Sequence, residues 1–122
     1  MRHLIFLLVS ALTLPVWAQT TVYLAPKEAL KRAFQDSQTV VSEKKTLTPD
    51  QMKRIQKQTG AKVPKETWTF YLGKTGNKID GYAVIDHQVG KTEPITYMTV
   101  ISPEGTVQKV DVLVYRETHG SE

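Results

Sequence analysis

His87, Glu93, Glu117 and His119 are the residues of this sequence whose types suit metal chemistry, as imidazoles and carboxylates that could meet at one end of a sheet. Their spacing matches no metal-ligand motif, and two loop histidines in a chain this short are more often solvated, so no metal is expected. Nucleophilic chemistry finds less support. No serine sits in a Gly-x-Ser-x-Gly turn, and no glycine-rich phosphate loop is present. There is no cysteine, which removes disulfides, thiolate nucleophiles, iron–sulfur ligation and c-type haem attachment together. Chemistry performed by the side chains alone is therefore not expected, and binding comes to the fore.

The elements that would position a binding site are legible from periodicity. Residues 82–85, 95–101 and 110–115 are rich in Val, Ile, Thr and Tyr and read as strands. They are separated by turn-like breaks at 90–94 and at Pro103-Glu104-Gly105. Upstream, Trp68, Phe70 and Leu72 alternate with Thr67, Thr69 and Tyr71, the pattern of a half-buried strand. A hairpin turn is expected over 73–78, and Gly81 is expected to mark a bulge or a close approach. In the last strand Val110, Val112 and Val114 should share one face, with Leu113 and Tyr115 on the other. The end of that strand is thus apolar on both sides, and a helix, a partner or an apolar ligand should cover the second side.

Two helices are expected. Pro26 opens the first, with Ala29, Leu30, Ala33 and Phe34 on its apolar stripe. Thr48-Pro49-Asp50-Gln51 is a capping box with proline at the first helical position, and Gly60 supplies the stop of the second. Met52 and Ile55 are its expected buried stripe. Residues 38–47 read as an edge strand whose far half, Glu43-Lys44-Lys45, is polar. The expected fold is α+β, an antiparallel meander of about five strands with two short helices.

Bulk properties narrow the class. A chain of 122 residues argues for one domain, and 40% hydrophobic with 23% charged residues argues against disorder. The net charge of +4 is spread along the chain rather than gathered in a stripe, so nucleic-acid binding is not expected. Met1-Arg2-His3, an apolar run over 4–14, and Pro15-Val16-Trp17-Ala18 have the layout of a secretory signal peptide cleaved after Ala18. The apolar run is shorter than the roughly 20 residues a membrane span needs. The expectation is a domain over 19–122, periplasmic or otherwise extracytoplasmic, with no membrane span in the mature chain.

Several segments resemble one family in order: Gly81-Tyr82-Ala83, Gly90-Lys91-Thr92-Glu93-Pro94-Ile95-Thr96-Tyr97, Ser102-Pro103-Glu104-Gly105, and the stretch from Val110 to Gly120. They are similar to the FMN-binding domain of extracytoplasmic flavoproteins, also found in the flavin subunits of Rnf-type and sodium-translocating NADH:quinone oxidoreductases. The resemblance implies an exported electron carrier rather than a catalyst, with FMN as cofactor and a membrane redox protein as possible partner. It implies a cofactor site at Gly90, Lys91, Thr92, Glu93, Tyr97, Tyr115, Arg116, Glu117, Thr118, His119 and Gly120. Lys91 or Arg116 would meet the phosphate. Thr92, Thr118 and the amides of Gly90 and Gly120 would meet the ring edge or ribityl chain, and Tyr97 or Tyr115 would pack on the ring. Covalent members carry FMN on the last Thr of a Ser/Thr-Gly-Ala-Thr segment beyond a further helical stretch. The nearest string here, Thr59-Gly60-Ala61-Lys62, ends on a lysine with no hydroxyl, and relative to the family the domain is C-terminally incomplete. Covalent attachment is therefore not supported, and FMN, if bound, is non-covalent. The other reading of the same residues is a small cofactor-free extracytoplasmic binding or inhibitory module.

Overall fold

A computed structural model of the chain describes residues 21–116; the signal-peptide layout over 1–18 and the site residues Glu117, Thr118, His119 and Gly120 lie outside them. The element order is β1 (Thr21–Val22), α1 (Pro26–Ala33), β2 (Thr39–Thr46), α2 (Pro49–Thr59), β3 (Thr67–Thr75), β4 (Lys78–Val89), β5 (Pro94–Ile101) and β6 (Val107–Tyr115). Strands β2 to β6 form the expected five-stranded antiparallel meander, and the short β1 adds to the β6 edge, giving the sheet order β1-β6-β5-β4-β3-β2. The architecture is α+β. No described helix is long and apolar enough to cross a membrane.

The pairing register gives each face its residues. On one, here the inner face, Ala83 pairs with Val100, Ile85 with Met98, and His87 with Thr96. Helix α1 lies on this face: Ala29 and Phe34 join Ala83, Met98, Val100, Leu113 and Val114 in the core, with Leu30, Ala33 and Tyr71 packed at its margin. The apolar stripe read from the sequence is thus the packing stripe. On the outer face run three cross-strand rows: Leu72–Tyr82–Ile101, Val84–Thr99–Val110, and Asp86–Tyr97–Val112. Trp68 and Phe70 share this face, opposite Lys45 and Glu43 of β2.

Three bulges depart from strict alternation. Between Tyr97↔Val112 and Thr96↔Val114 the β6 strand carries Leu113 as an extra residue. An extra residue resets the side-chain alternation. Leu113 and Val114 therefore both enter the core, and the expectation that Val114 shares a face with Val110 and Val112 is corrected. A second bulge in β6 falls between Val107 and Lys109. The third makes Asp80 the extra residue of β4, next to Gly81, where the sequence suggested a bulge. The turn expected over 73–78 is tighter than that. Strand β3 continues to Thr75, and only Gly76 and Asn77 separate it from β4.

The bulge aims Asp80 back at the chain. Its Oδ2 accepts hydrogen bonds from Thr75 Oγ1 at 2.6 Å and Ser37 Oγ at 2.7 Å, tying the β3–β4 hairpin to the connection after α1. The Thr75 hydroxyl and then the Ser37 hydroxyl hold its carboxyl below the usual value, against the opposing effect of desolvation, with the charge of Lys78 the smallest influence. A folded-state pKa below the unfolded one adds stability that is fully present above the unfolded pKa and is lost as pH falls through the folded one. Asp80→Asn should therefore be less stable than the parent at neutral pH, and the gap should close below about pH 4, where a free Asp protonates. Urea midpoints at a series of pH values check this, and a gap that stays constant with pH would refute it.

Candidate functional site

The β4–β5 connection, where the sequence placed most of the site, is closed by its own hydrogen bonds. Gly90 N–H donates to Glu93 O at 2.9 Å, and β5 begins at Pro94. Lys91, Thr92 and Glu93 are exposed at its tip. Arg116 reaches back to this end of the sheet, and its Nη1 donates to Pro94 O at 2.9 Å and to Thr96 Oγ1 at 3.1 Å. Buried Thr96 lies 2.9 Å from His87 Nδ1 through the same hydroxyl. A guanidinium only donates, so the Thr96 hydroxyl accepts from Arg116 and shares a second hydrogen bond with His87 Nδ1. His87, Thr96 and Arg116 form one inner-face network that clips the end of β6 to the start of β5.

The structure therefore brings Gly90, Lys91, Thr92, Glu93 and Arg116 to one end of the sheet, and it separates the aromatic candidates from Arg116. Tyr97 sits in the outer-face row with Asp86 and Val112. Tyr115 follows inward-facing Val114 and so turns outward too. The two rings proposed to meet a flavin share a face; the guanidinium proposed to meet its phosphate is on the other face and already bonded. The Gly90 amide is engaged as well. Of the described residues in the set, Lys91 makes no ion pair, and Arg116 spends only Nη1, on neutral oxygens, so both cations keep their charge open to an anionic group. No group of three or more His, Asp or Glu among the described residues could hold a metal ion.

A different feature of the outer face went unread in the sequence. Helix α2 forms as its caps dictate: Thr48 Oγ1 accepts from Gln51 N–H, Gln51 Oε1 accepts from Thr48 N–H at 2.9 Å, and Gly60 takes the left-handed conformation at φ 72°. Yet α2 buries none of its residues, so the expected buried stripe at Met52 and Ile55 is only half-buried. The helix stands off the sheet. Beneath it lies a trough of about 390 Å³, walled by Leu47, Ile55, Val63, Pro64, Trp68 and Phe70 and almost wholly apolar. Phe70 also borders an adjoining hollow of about 420 Å³, lined by Leu72, Tyr82, Ile101, Glu43 and Lys45. Hydrophobic surface continues across the outer face to Val110 and Val112, which are 58% and 45% exposed. The cover expected over the second side of β6 is absent among the described residues.

One wall of the trough is braced by Trp68. Its indole N–H donates to Lys65 O at 3.0 Å, and the Lys65 ammonium lies 4.4 Å from the ring centroid while pairing with Asp86 at 3.2 Å. The Asp86 carboxylate also accepts from His87 N–H at 2.9 Å. Each contact is modest alone, since exposed ion pairs contribute about 0–1 kcal/mol. Together they fix the indole as a wall rather than a filling. A sequence can carry the capping box and the Trp-Thr-Phe alternation without revealing how far the helix stands from the strand. Against known proteins, the chain matches no family model, no curated protein and no solved structure.

Proposed function

We propose that this chain is a small binding module that takes up an apolar ligand in the trough between α2 and the outer face of its sheet. The observation that carries this reading is a helix fully capped at both ends that nonetheless leaves the apolar surface beneath it open. Volumes of roughly 300–1,000 Å³ with mainly hydrophobic walls are those of small-molecule sites. The proposed action is uptake and release, with export resting on the layout of residues 1–18.

The test is titration of the mature protein with the neutral fluorescent probe N-phenyl-1-naphthylamine. Saturable binding is expected, and Ile55→Glu should weaken it roughly tenfold or more by placing a carboxylate in the apolar wall. Because α2 buries nothing, that variant should keep the parent's circular dichroism. Equal binding by parent and variant would place the site elsewhere.

A second reading, the exported FMN electron carrier working with a membrane redox protein, is supported by the shared outward placement of Tyr97 and Tyr115. Those rings would pack on the isoalloxazine, Thr92 would meet the ring edge or ribityl chain, and Lys91 would meet the phosphate. Arg116, held at Pro94 and Thr96 through Nη1, stands on the face opposite those rings. Bound FMN would supply the redox chemistry. This chain's residues would supply an apolar surface for the ring and a cation for the phosphate. Visible absorption after adding FMN and removing the excess by gel filtration decides it. One retained flavin per chain supports the carrier, and a colourless folded protein refutes it.

A further inference from the structure

We infer that the ligand of the trough is a free single-chain carboxylic acid, its alkyl tail lying beneath α2 and its carboxylate at Lys62. The inference rests on the trough being a binding site, and it names the class of ligand from what the walls offer.

They offer almost no polar partner. The surface that faces the trough is almost wholly apolar, and there β3 is paired along its length with β2, its pairing with β4 beginning only at Tyr71. The Trp68 indole N–H is already given to Lys65 O. The Thr59 hydroxyl donates to Ile55 O at 2.7 Å and accepts from Ala61 N–H at 3.2 Å. A peptide, sugar or nucleotide placed here would bury polar groups without partners, at a cost of about 1–3 kcal/mol for each. An alkyl chain has no such groups.

The exception is Lys62, the charged side chain among those lining the trough. It is exposed, so it stands at the mouth, and it makes no ion pair with any described residue. An ammonium at the rim of an apolar slot is the complement of one anionic head on an apolar tail. The other open end, past Phe70, carries Glu43 beside Lys45. The charges of Glu43 and Lys45 offset each other there, whereas Lys62 is unopposed among the residues lining the trough, so the head is set at Lys62 and the tail points toward Phe70. The rim chemistry thus fixes both the sign of the head group and the direction of the chain.

The experiment uses the mature protein loaded with N-phenyl-1-naphthylamine and displaces the probe at neutral pH with decanoate, decanol or decylamine, each below its micellar range. Decanoate is expected to displace at about three- to fivefold lower concentration than decanol, the scale of one exposed ion pair, with decylamine weakest. Lys62→Met should remove the advantage of decanoate over decanol, and Lys62→Glu should make decylamine the best of the three. Each variant's displacement is compared with its own probe affinity, measured first by titration. If the probe binds but the three amphiphiles displace it equally, or Lys62→Glu leaves decanoate unaffected, the acid is wrong while the trough remains a site. Stronger displacement by a short apolar peptide would assign the trough to a protein partner instead. If the probe does not bind at all, both readings fall.

Discussion

Gly73→Ala is expected to lose about 3 kcal/mol of stability, the upper end of what overpacking a core costs. A Cβ built on Gly73 would lie 2.3 Å from Cδ1, 2.7 Å from Cγ and 2.9 Å from Cε1 of Phe34. Those are positions inside the ring's own volume, so the whole ring must leave. It has little room to do so. Phe34 is buried in the core, and its backbone is held by N–H donation to Leu30 O and by Ser37 N–H donating to its carbonyl. The Gly73–Gly81 pair gives this ring its seat on the sheet, since a Cβ on Gly81 would also fall 3.5 Å from Phe34 Cε1. The check is a double-mutant cycle by urea unfolding. Phe34→Ala alone should cost about 3–5 kcal/mol. In that background Gly73→Ala should become neutral or slightly stabilising, because a strand glycine is about 0.5–1 kcal/mol worse than alanine once nothing occupies its face. An unchanged midpoint for Gly73→Ala in the parent would mean the ring does not rest there.

Met98→Ala should cost about 2–5 kcal/mol. Met98 is 1% exposed on a central strand, between Ile85 of β4 and Asp111 of β6, and in the cluster with Ala29 and Leu113. The informative control is Val110→Ala one strand away. Val110 pairs with Thr99 on the outer face, and its loss should stay within about 0.5 kcal/mol. Adjacent strands, similar apolar residues and a large difference in cost together measure which face carries the fold. Comparable losses at both positions would show that the outer face is covered in solution, which would contradict the open trough and its apolar surroundings.

The sequence carried the meander well because its signals are local. Turn residues at Pro103-Glu104-Gly105, the capping box at Thr48 and Gln51, and the Ala29–Phe34 stripe each act within a few residues, and each appears where expected. What escaped it was set by contacts distant in the chain. The bulge at Leu113 inserts a residue without disturbing the composition of the strand, so alternation alone misassigned Val114, whereas the bulge at Asp80 was marked by the neighbouring Gly81. Met52 and Ile55 have helical spacing whether or not a sheet closes on them. The anchoring of Arg116 was hidden because its partners, Pro94 O and Thr96 Oγ1, lie 22 and 20 residues earlier in the chain. Of the candidate site, the convergence of the Gly90–Glu93 turn with Arg116 was legible. The division of Tyr97 and Arg116 between two faces was not, since it depends on the register of β5 against β6.

Helix α2 has eleven residues and no buried side chain, a length at which an isolated helix is marginal in water. Its caps set its ends, but packing adds little to its cohesion. The sheet and α1 can therefore stay folded while α2 unwinds, making it a separately melting unit of low opening free energy. Anything that fills the trough then selects the wound state of the helix. Its apparent affinity equals the intrinsic one scaled by the fraction of molecules in which α2 is wound. Occupancy and helicity become one linked equilibrium, so the Thr48 cap, which touches no ligand, governs affinity by setting how often the roof of the trough exists.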